Sequence, residues 1–138
     1  MRDVPLGTTV TFRKTVSESD VYGYAGITGD FHANHVDEEA MRNSVYGGRI
    51  AHGTLVLGYT SAASTAMSAK FDGHAVSYGY DRVRFTGAVR LGDTLTVTYS
   101  LTRIEPAESM AFSDIRVLNQ DNELVLVAVH ILKFLAED

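Results

Sequence analysis

The longest helix of this chain is predicted at Gly53–Ala69, where the sequence is GTLVLGYTSAASTAMSA. At about 1.5 Å per residue it would be about 25 Å long. Its residues are apolar or small on nearly every side, and a helix of this kind is usually buried and closely approached by its neighbours. Serines and threonines interrupt the stretch, and His52 and Lys70 bound it, so we do not expect it to span a membrane.

The second half of the chain predicts strands that would cover this helix. Thr94–Thr102 alternates apolar residues with threonine and serine, the period of a half-exposed strand. Further strands are predicted at Val76–Ala88, Ala111–Leu118 and Leu124–Leu135, and the last is so continuously apolar that it must be covered on both faces or lie centrally. We expect the four strands to form an antiparallel meander, with a turn at Gly92–Asp93 joining the first two.

The first half is predicted to contain one strand and two short helices. Thr8–Lys14 alternates valine and phenylalanine with threonine, as a strand does. Ser17–Asp20 is a helix N-terminal signal, and that helix should stop near Gly26 or Gly29. A second short helix is predicted over Asp37–Gly48, opened by acidic residues and closed by two glycines. Together the elements predict an α+β fold, a curved antiparallel sheet wrapped around one buried helix.

Composition limits what kind of protein this is. The 138 residues, 45% of them hydrophobic, correspond to a single domain that spans residues 1–138. There are no cysteines, which excludes a disulfide scaffold, a thiol nucleophile and a cysteine zinc site. The formal charge of −5 without a basic run argues against nucleic acid as a partner. We find no pattern of a signal peptide, and we expect a cytoplasmic protein that does not enter a membrane.

The densest group of reactive residues is Gly29–His35, with the sequence GDFHANH. Asp30 and His35 are too far apart to be neighbours on one helix face, but a loop that folds back could bring them onto one water molecule. A carboxylate and an imidazole together can take one proton and deliver another. A helix cap, a structural histidine, or a metal site that includes His32 are the alternatives. Because no motif with fixed zinc spacing is present, we predict no metal.

A second candidate lies at Ile50–Gly53, where the long helix begins. The free amides of a helix N-terminus can bind a developing oxyanion, and Gly53 would allow close approach of a carbonyl. An ordinary helix start with a glycine is the alternative.

Several segments resemble one family. Tyr24–Asp30 followed by His35–Asp37 resembles the hydratase 2 motif of the MaoC-like dehydratases, which include the (R)-specific enoyl-CoA hydratases. That motif is an aromatic residue, a small stretch ending Ser/Thr-Gly-Asp, and then x-Asn-Pro-x-His. Ala51–Gly53 matches the family's His-Gly at the start of the long helix. Tyr80–Phe85 followed by Val89–Asp93 is similar to its next strand and turn.

The resemblance covers nearly the whole chain and implies the hot-dog fold. It also implies an enzyme of acyl-CoA or fatty acid metabolism that adds water to, or removes it from, the 2,3 double bond of an enoyl thioester. Asp30 and His35 would be catalytic, and the Gly53 amide would polarise the thioester carbonyl. His52 and Asn34 are expected to bind substrate beside Gly53. Coenzyme A would be part of the substrate, and no separate cofactor is expected.

The sequence departs from the family motif at one place, because His32-Ala33 replaces the usual Asn-Pro. The missing proline removes a fixed φ angle from the loop. Two other functions follow from the same resemblance, a hot-dog acyl-CoA thioesterase and a non-catalytic module that binds acyl thioesters. Proteins of this family commonly dimerise through an open sheet edge, so a homodimer or higher homo-oligomer is expected.

Overall fold

The structure is a computed structural model that describes residues 4–136. It contains a strand, a group of helices, and then four strands. The elements in chain order are β1 (Thr9–Thr15), α1 (Glu18–Thr28), α2 (Ala33–Val36), α3 (Glu38–Arg42), α4 (Gly53–Ser68), β2 (Ala75–Phe85), β3 (Thr94–Glu105), a 3₁₀ turn (Pro106–Glu108), β4 (Met110–Leu118) and β5 (Leu124–Phe134). The α+β prediction, with one long helix and an antiparallel sheet, is confirmed.

The five strands form one antiparallel sheet in the order β1-β3-β4-β5-β2. The meander is confirmed for β3, β4 and β5, but the predicted hairpin between β2 and β3 is wrong. β5 is apolar enough to lie inside the sheet, with β4 on one side, and β2 pairs with its other side. Residues 86–93 therefore connect β2, at one edge of the sheet, to β3 near the opposite edge. Gly92 still turns the chain, with φ of 93°, and its amide bonds to the carbonyl of Val16 at 2.7 Å.

The long helix packs on the sheet and builds the core with it. α4 contacts β1, β3 and β5. The alternation in β3 is confirmed, because its inward residues Leu95, Val97, Tyr99 and Leu101 are all fully buried. The buried face of α4 consists of Val56, Thr60, Ala63, Ser64 and Met67.

The opposite face of α4, which includes Gly58, Ala62 and Ala66, is exposed to solvent. The expectation that this helix is covered on nearly every side is therefore wrong for a single chain. The physical reason is that one layer of sheet covers only one face of a helix. No helix among residues 4–136 combines the length and the hydrophobicity needed to cross a bilayer.

The helical group between β1 and α4 carries the reactive segment. Ser17 caps α1 with a capping box to Asp20, and Gly29 ends the helix in the left-handed conformation with φ of 83°. Asp37 caps α3 as predicted, by accepting from the amide of Ala40 at 3.0 Å. This helix ends at Arg42 rather than at the two glycines, so residues 43–48 form turns.

Candidate active site

The segment after α1 folds back onto the start of α4, as the catalytic prediction requires. One side-chain atom each of Asp30, His35 and His52 lie within 4.8 Å of one another. Gly29 makes the first turn, and the short helix α2, which was expected to be irregular loop, carries His35 inward. Asp30 is exposed, whereas His35 is 9% exposed and His52 only 2%. One carboxylate and two imidazoles therefore meet at the surface end of the long helix.

The ring of His35 is held by the main chain before α4. Its Nδ1 lies 2.6 Å from the carbonyl oxygen of Ile50. Because a carbonyl can only accept, Nδ1 carries the proton and donates it. The other nitrogen, Nε2, has no hydrogen-bond partner among residues 4–136, and the residue lines a cavity. His35 thus presents a nitrogen lone pair that is able to take a proton.

His52 stacks on His35, with the ring centroids 3.7 Å apart and the planes inclined by 23°. Its Nε2 lies 2.9 Å from the main-chain carbonyl oxygen of Asp30, so this nitrogen is the donor. The Nδ1 atom of His52 is buried and finds no hydrogen-bond partner within the described residues. His52 was predicted to bind substrate, and the structure places it between the two predicted catalytic residues.

The residues that could together hold a metal differ from those considered from the sequence. The structure brings His52, and not His32, together with Asp30 and His35. Zinc needs ligand atoms at about 2.0–2.2 Å that point at one centre. Three groups that bind one water oxygen at about 2.8 Å in tetrahedral geometry have their binding atoms about 4.6 Å apart, which the span of 4.8 Å permits. The cluster can therefore hold a water molecule, and the absence of a metal stays a prediction.

The N-terminus of α4 offers main-chain donors. His52 is the N-cap and makes no side-chain capping bond. The amides of Gly53 and Thr54 have no partner among residues 4–136, as is usual in the first turn of a helix. A Cβ at Gly53 would lie 3.0 Å from three ring atoms of Phe85, so a larger residue here would require this half-exposed ring to shift. The geometry predicted for an oxyanion donor is therefore present, while its role in binding remains a prediction.

A cavity of about 470 Å³ opens beside these groups. Its wall is mostly apolar and comes from α4, from β5 and from the crossing after β2. The lining residues are His35, Tyr46, Ile50, Ala51, Gly53, Val56, Phe85, Thr86, Gly87, Ala88, Val89 and Val125. An imidazole and a free helix N-terminus thus face one apolar cavity.

Asn34 does not line this cavity, although it was predicted to bind substrate. Its main chain fixes the loop instead, since its carbonyl accepts from the amide of Ile50 at 2.9 Å. Its own amide donates to Nδ1 of His32 at 3.1 Å, so His32, which is exposed, caps α2. His32 therefore takes over part of the loop-fixing function of the missing proline. A contact of the Asn34 side chain with substrate stays a prediction.

Three groups that support the site were not predicted from the sequence. Tyr24 lies with its ring centroid 4.7 Å from that of His52, and its hydroxyl donates to Oγ1 of Thr54 at 2.5 Å. Phe85 covers Gly53, and the Ile50 carbonyl orients His35. Both aromatic residues lie in segments that carry the family resemblance, which could have identified them. A main-chain carbonyl leaves no signal in the sequence.

A second histidine cluster lies inside the sheet. His130 is fully buried, with Nε2 2.7 Å from Oγ of Ser77 and Nδ1 2.7 Å from the hydroxyl of Tyr99. Burial lowers the pKa of His130 to about 4 and raises the pKa of Tyr99 to about 12. Both groups are thus neutral at physiological pH, and no cavity-lining residue of the candidate site belongs to this cluster.

Comparison with known proteins identifies the family. A family model described as a MaoC like domain matches residues 3–120. The chain is 36% identical over 104 residues to an (R)-specific enoyl-CoA hydratase of Rhodospirillum rubrum, covering 75% of this chain and 70% of that protein. It is 32% identical over 109 residues to a 3-hydroxybutyryl-CoA dehydratase of Methylorubrum extorquens, covering 79% and 68%.

A solved structure agrees with the fold. The (R)-hydratase from A. caviae involved in PHA biosynthesis aligns with a TM-score of 0.87 at 19% identity, covering 98% of this chain and 100% of that one. This likeness confirms the hot-dog fold. With the family model and the two relatives, it shows that the chain belongs to the MaoC-like dehydratase family.

Proposed function

We propose that this chain is a hydratase/dehydratase that adds water to, or removes it from, the 2,3 double bond of an enoyl-CoA. The observation that carries this proposal is the meeting of Asp30 with His35, which lines an apolar cavity together with Gly53 at the start of α4. The two relatives bear the names of an enoyl-CoA hydratase and a 3-hydroxybutyryl-CoA dehydratase, which are the two directions of one reaction.

In the hydration direction, Asp30 and His35 hold the attacking water and share the proton transfers. The water oxygen forms a bond to C3, and the electrons of the double bond move to C2 and the thioester carbonyl. One proton leaves the water for this pair of residues, and one proton is delivered from the pair to C2. Acid–base help of this kind contributes about 10²–10⁴-fold to a rate.

The Gly53 amide is proposed to receive the negative charge that builds up on the thioester oxygen. It lies at the positive end of the α4 dipole and has no partner among residues 4–136. A donor that is already in place lowers the barrier without having to reorganise. The acyl chain then lies in the cavity against Val56, Val89 and Val125.

The working unit is proposed to be a homodimer or a higher homo-oligomer. β2 is an edge strand of the sheet and exposes the side chains of Val76 (40%) and Tyr78 (62%). The small-residue face of α4 is exposed as well. An open edge with apolar side chains invites pairing, which a second copy would satisfy. Sedimentation of the purified chain at twice or more the monomer mass supports this assembly, and a monomer contradicts it.

The reaction is proposed to need no cofactor or metal besides the coenzyme A of the substrate, and to take place in the cytoplasm. Activity that is unchanged after dialysis against EDTA supports the metal-free mechanism. Fractionation of cells that express the tagged chain tests its location.

Product analysis with crotonyl-CoA tests the proposed function. We expect loss of the enoyl absorbance and formation of 3-hydroxybutyryl-CoA, with no free thiol. Release of coenzyme A without the hydroxyacyl product would instead identify a thioesterase, in which the carbonyl rather than the alkene is attacked. Binding of crotonyl-CoA without any product would identify a non-catalytic acyl-thioester module.

A further inference from the structure

The geometry points to His52 as a third group that holds the attacking water, through its Nδ1 atom. This inference rests on the proposed hydration reaction and adds to it a residue beyond Asp30 and His35. His52 was expected to bind substrate, which stays a prediction, and its Nε2 already donates to the Asp30 carbonyl at 2.9 Å. Its remaining nitrogen, Nδ1, is buried without a partner, in a ring that has one nitrogen within 4.8 Å of the two catalytic groups.

The protonation state of His52 follows from its partners. Nε2 lies 2.9 Å from a carbonyl oxygen, which can only accept, so the proton is on Nε2. In the neutral ring, Nδ1 then carries a lone pair and accepts a hydrogen bond. A charged ring would add a buried Nδ1–H without a partner, which is unfavourable.

The Nδ1 lone pair is unusual among buried polar atoms, because most of these have a hydrogen-bond partner. His52 is only 2% exposed, and Nδ1 finds no donor within residues 4–136. Side-chain atoms of Asp30 and His35 lie within 4.8 Å of a ring nitrogen of His52. A water molecule among them satisfies Nδ1 and places its oxygen where the catalytic pair can act on it.

Counting hydrogens gives each residue a separate task. A water molecule donates two hydrogen bonds. One hydrogen is donated to a single member of the Asp30/His35 pair, which takes it as a proton, and the pair then delivers a proton to C2. The second hydrogen stays on the oxygen as the new hydroxyl hydrogen and donates to His52 Nδ1 throughout the step. His52 takes up and releases no proton, and it directs the oxygen lone pair toward C3.

Two substitutions separate the two nitrogens of this ring. His52→Gln carries a carboxamide to the position of Nε2, where it can still donate to the Asp30 carbonyl, but leaves no acceptor at Nδ1. His52→Asn places its oxygen near the position of Nδ1 and does not reach Asp30. We expect His52→Gln to lower kcat about 10²-fold with little change in KM, since the loss is one of orientation. His52→Asn should retain about tenfold more kcat than His52→Gln.

Equal losses in the two variants, or a kcat of His52→Gln within about threefold of the parent, would overturn the inference. Circular dichroism establishes that both variants are folded. The ¹⁵N spectrum of histidine-labelled wild-type chain provides a readout that needs no variant: Nδ1 of His52 should be an unprotonated acceptor, and a protonated Nδ1 overturns the inference. A wild-type chain that fails to hydrate crotonyl-CoA contradicts the proposed function itself. An active wild type with an equally active His52→Gln contradicts only the role of His52.

Discussion

The two buried histidine clusters of this chain differ in how their ring nitrogens are partnered. In the sheet, both nitrogens of His130 have a side-chain partner, Ser77 on one side and Tyr99 on the other. At the start of α4, His35 and His52 each donate one N–H to a main-chain carbonyl. Their second nitrogens have no partner among residues 4–136, and one of them is buried.

This difference separates a structural cluster from a reactive one. The His130 cluster is complete within the protein and lies away from the cavity, so its hydrogen bonds stabilise the sheet. The cluster at α4 is complete only when a small polar molecule joins it, and it adjoins a cavity that can admit an acyl chain. Burial alone therefore does not indicate function, whereas an unpaired acceptor beside a cavity does.

The sharpest way to break this comparison is Gly53→Ala. A Cβ at this position meets the Phe85 ring at 3.0 Å, so either the ring or the helix start must move. The alanine keeps the main-chain amide, but its methyl group stands in the way of a thioester oxygen that approaches this proposed oxyanion donor, so we expect kcat to fall by up to about 10²–10³-fold. Steady-state kinetics with crotonyl-CoA measure the effect.

Gly58→Ala is the matched control on the same helix, because a Cβ there meets nothing within 4 Å. We expect unchanged kinetics and a stability gain of up to about 1 kcal/mol from the higher helix propensity of alanine. If Gly53→Ala is as active as Gly58→Ala, the substrate does not need the open space at residue 53, and the proposed close approach of a carbonyl there is wrong.

In the sheet cluster, Tyr99→Phe removes the hydroxyl partner of His130. A buried polar atom left without a partner costs about 1–3 kcal/mol, so the free energy of unfolding should fall by that amount. Urea denaturation measures this loss, while kcat and KM should stay as in the parent at temperatures where both are folded. A large drop in kcat of the folded variant would show that the two clusters are coupled.

The low pKa of His130 predicts a pH dependence of stability. Between pH 6.5 and about 4 the unfolded chain binds a proton at this residue and the folded chain does not. The free energy of unfolding should therefore decrease as pH falls through this window, by up to about 1.4 kcal/mol per pH unit from this group. His130→Gln should show a shallower acid loss in urea midpoints. Parallel curves for the two proteins would contradict the buried, neutral state of His130.

A smaller effect on activity is expected when Arg49, which contacts two of the helices around the active site, is replaced. Its guanidinium donates to Glu38 of α3 and to Glu18 of α1, each at 2.6 Å, and residue 50 supplies the carbonyl that orients His35. Glu18 is largely exposed, so we expect Arg49→Met to cost about 1 kcal/mol or less in stability and a few-fold in kcat/KM.

The matched control is Arg103→Met, which breaks an exposed ion pair with Glu105 far along β3. It should leave the kinetics unchanged and cost at most about 1 kcal/mol of stability, because Arg103 also lies 3.7 Å from the centroid of the Phe112 ring. If the two arginine variants have the same kcat/KM, the helices around the site do not depend on the Arg49 contacts.

Much of the fold was predictable from local patterns. The period of two in β3, the cap at Ser17 and the small-residue helix gave elements close to the observed ones. The neighbour of β2 was not predictable, because the turn at Gly92–Asp93 is also compatible with a crossing of the sheet. The exposed face of α4 was not predictable either, since small residues pack equally well against a second chain.

Only the residues of the candidate site that belong to the family motif were predictable from the sequence. Asp30 and His35 were identified from residue type and family resemblance, and their convergence needed only a loop that folds back. The stack of His35 on His52 and the two carbonyl contacts depend on tertiary geometry. The His130 cluster joins residues of three strands, and no sequence spacing connects them.

The most direct test of the central claim compares Asp30→Asn and His35→Gln with His130→Gln in one crotonyl-CoA hydration assay. If the chemistry resides at the start of α4, the first two variants should lose about 10²–10⁴-fold in kcat while their unfolding free energies stay close to that of the parent. His130→Gln should lose stability and keep its kcat while folded. A folded Asp30→Asn or His35→Gln that turns over crotonyl-CoA at the wild-type rate would contradict the account.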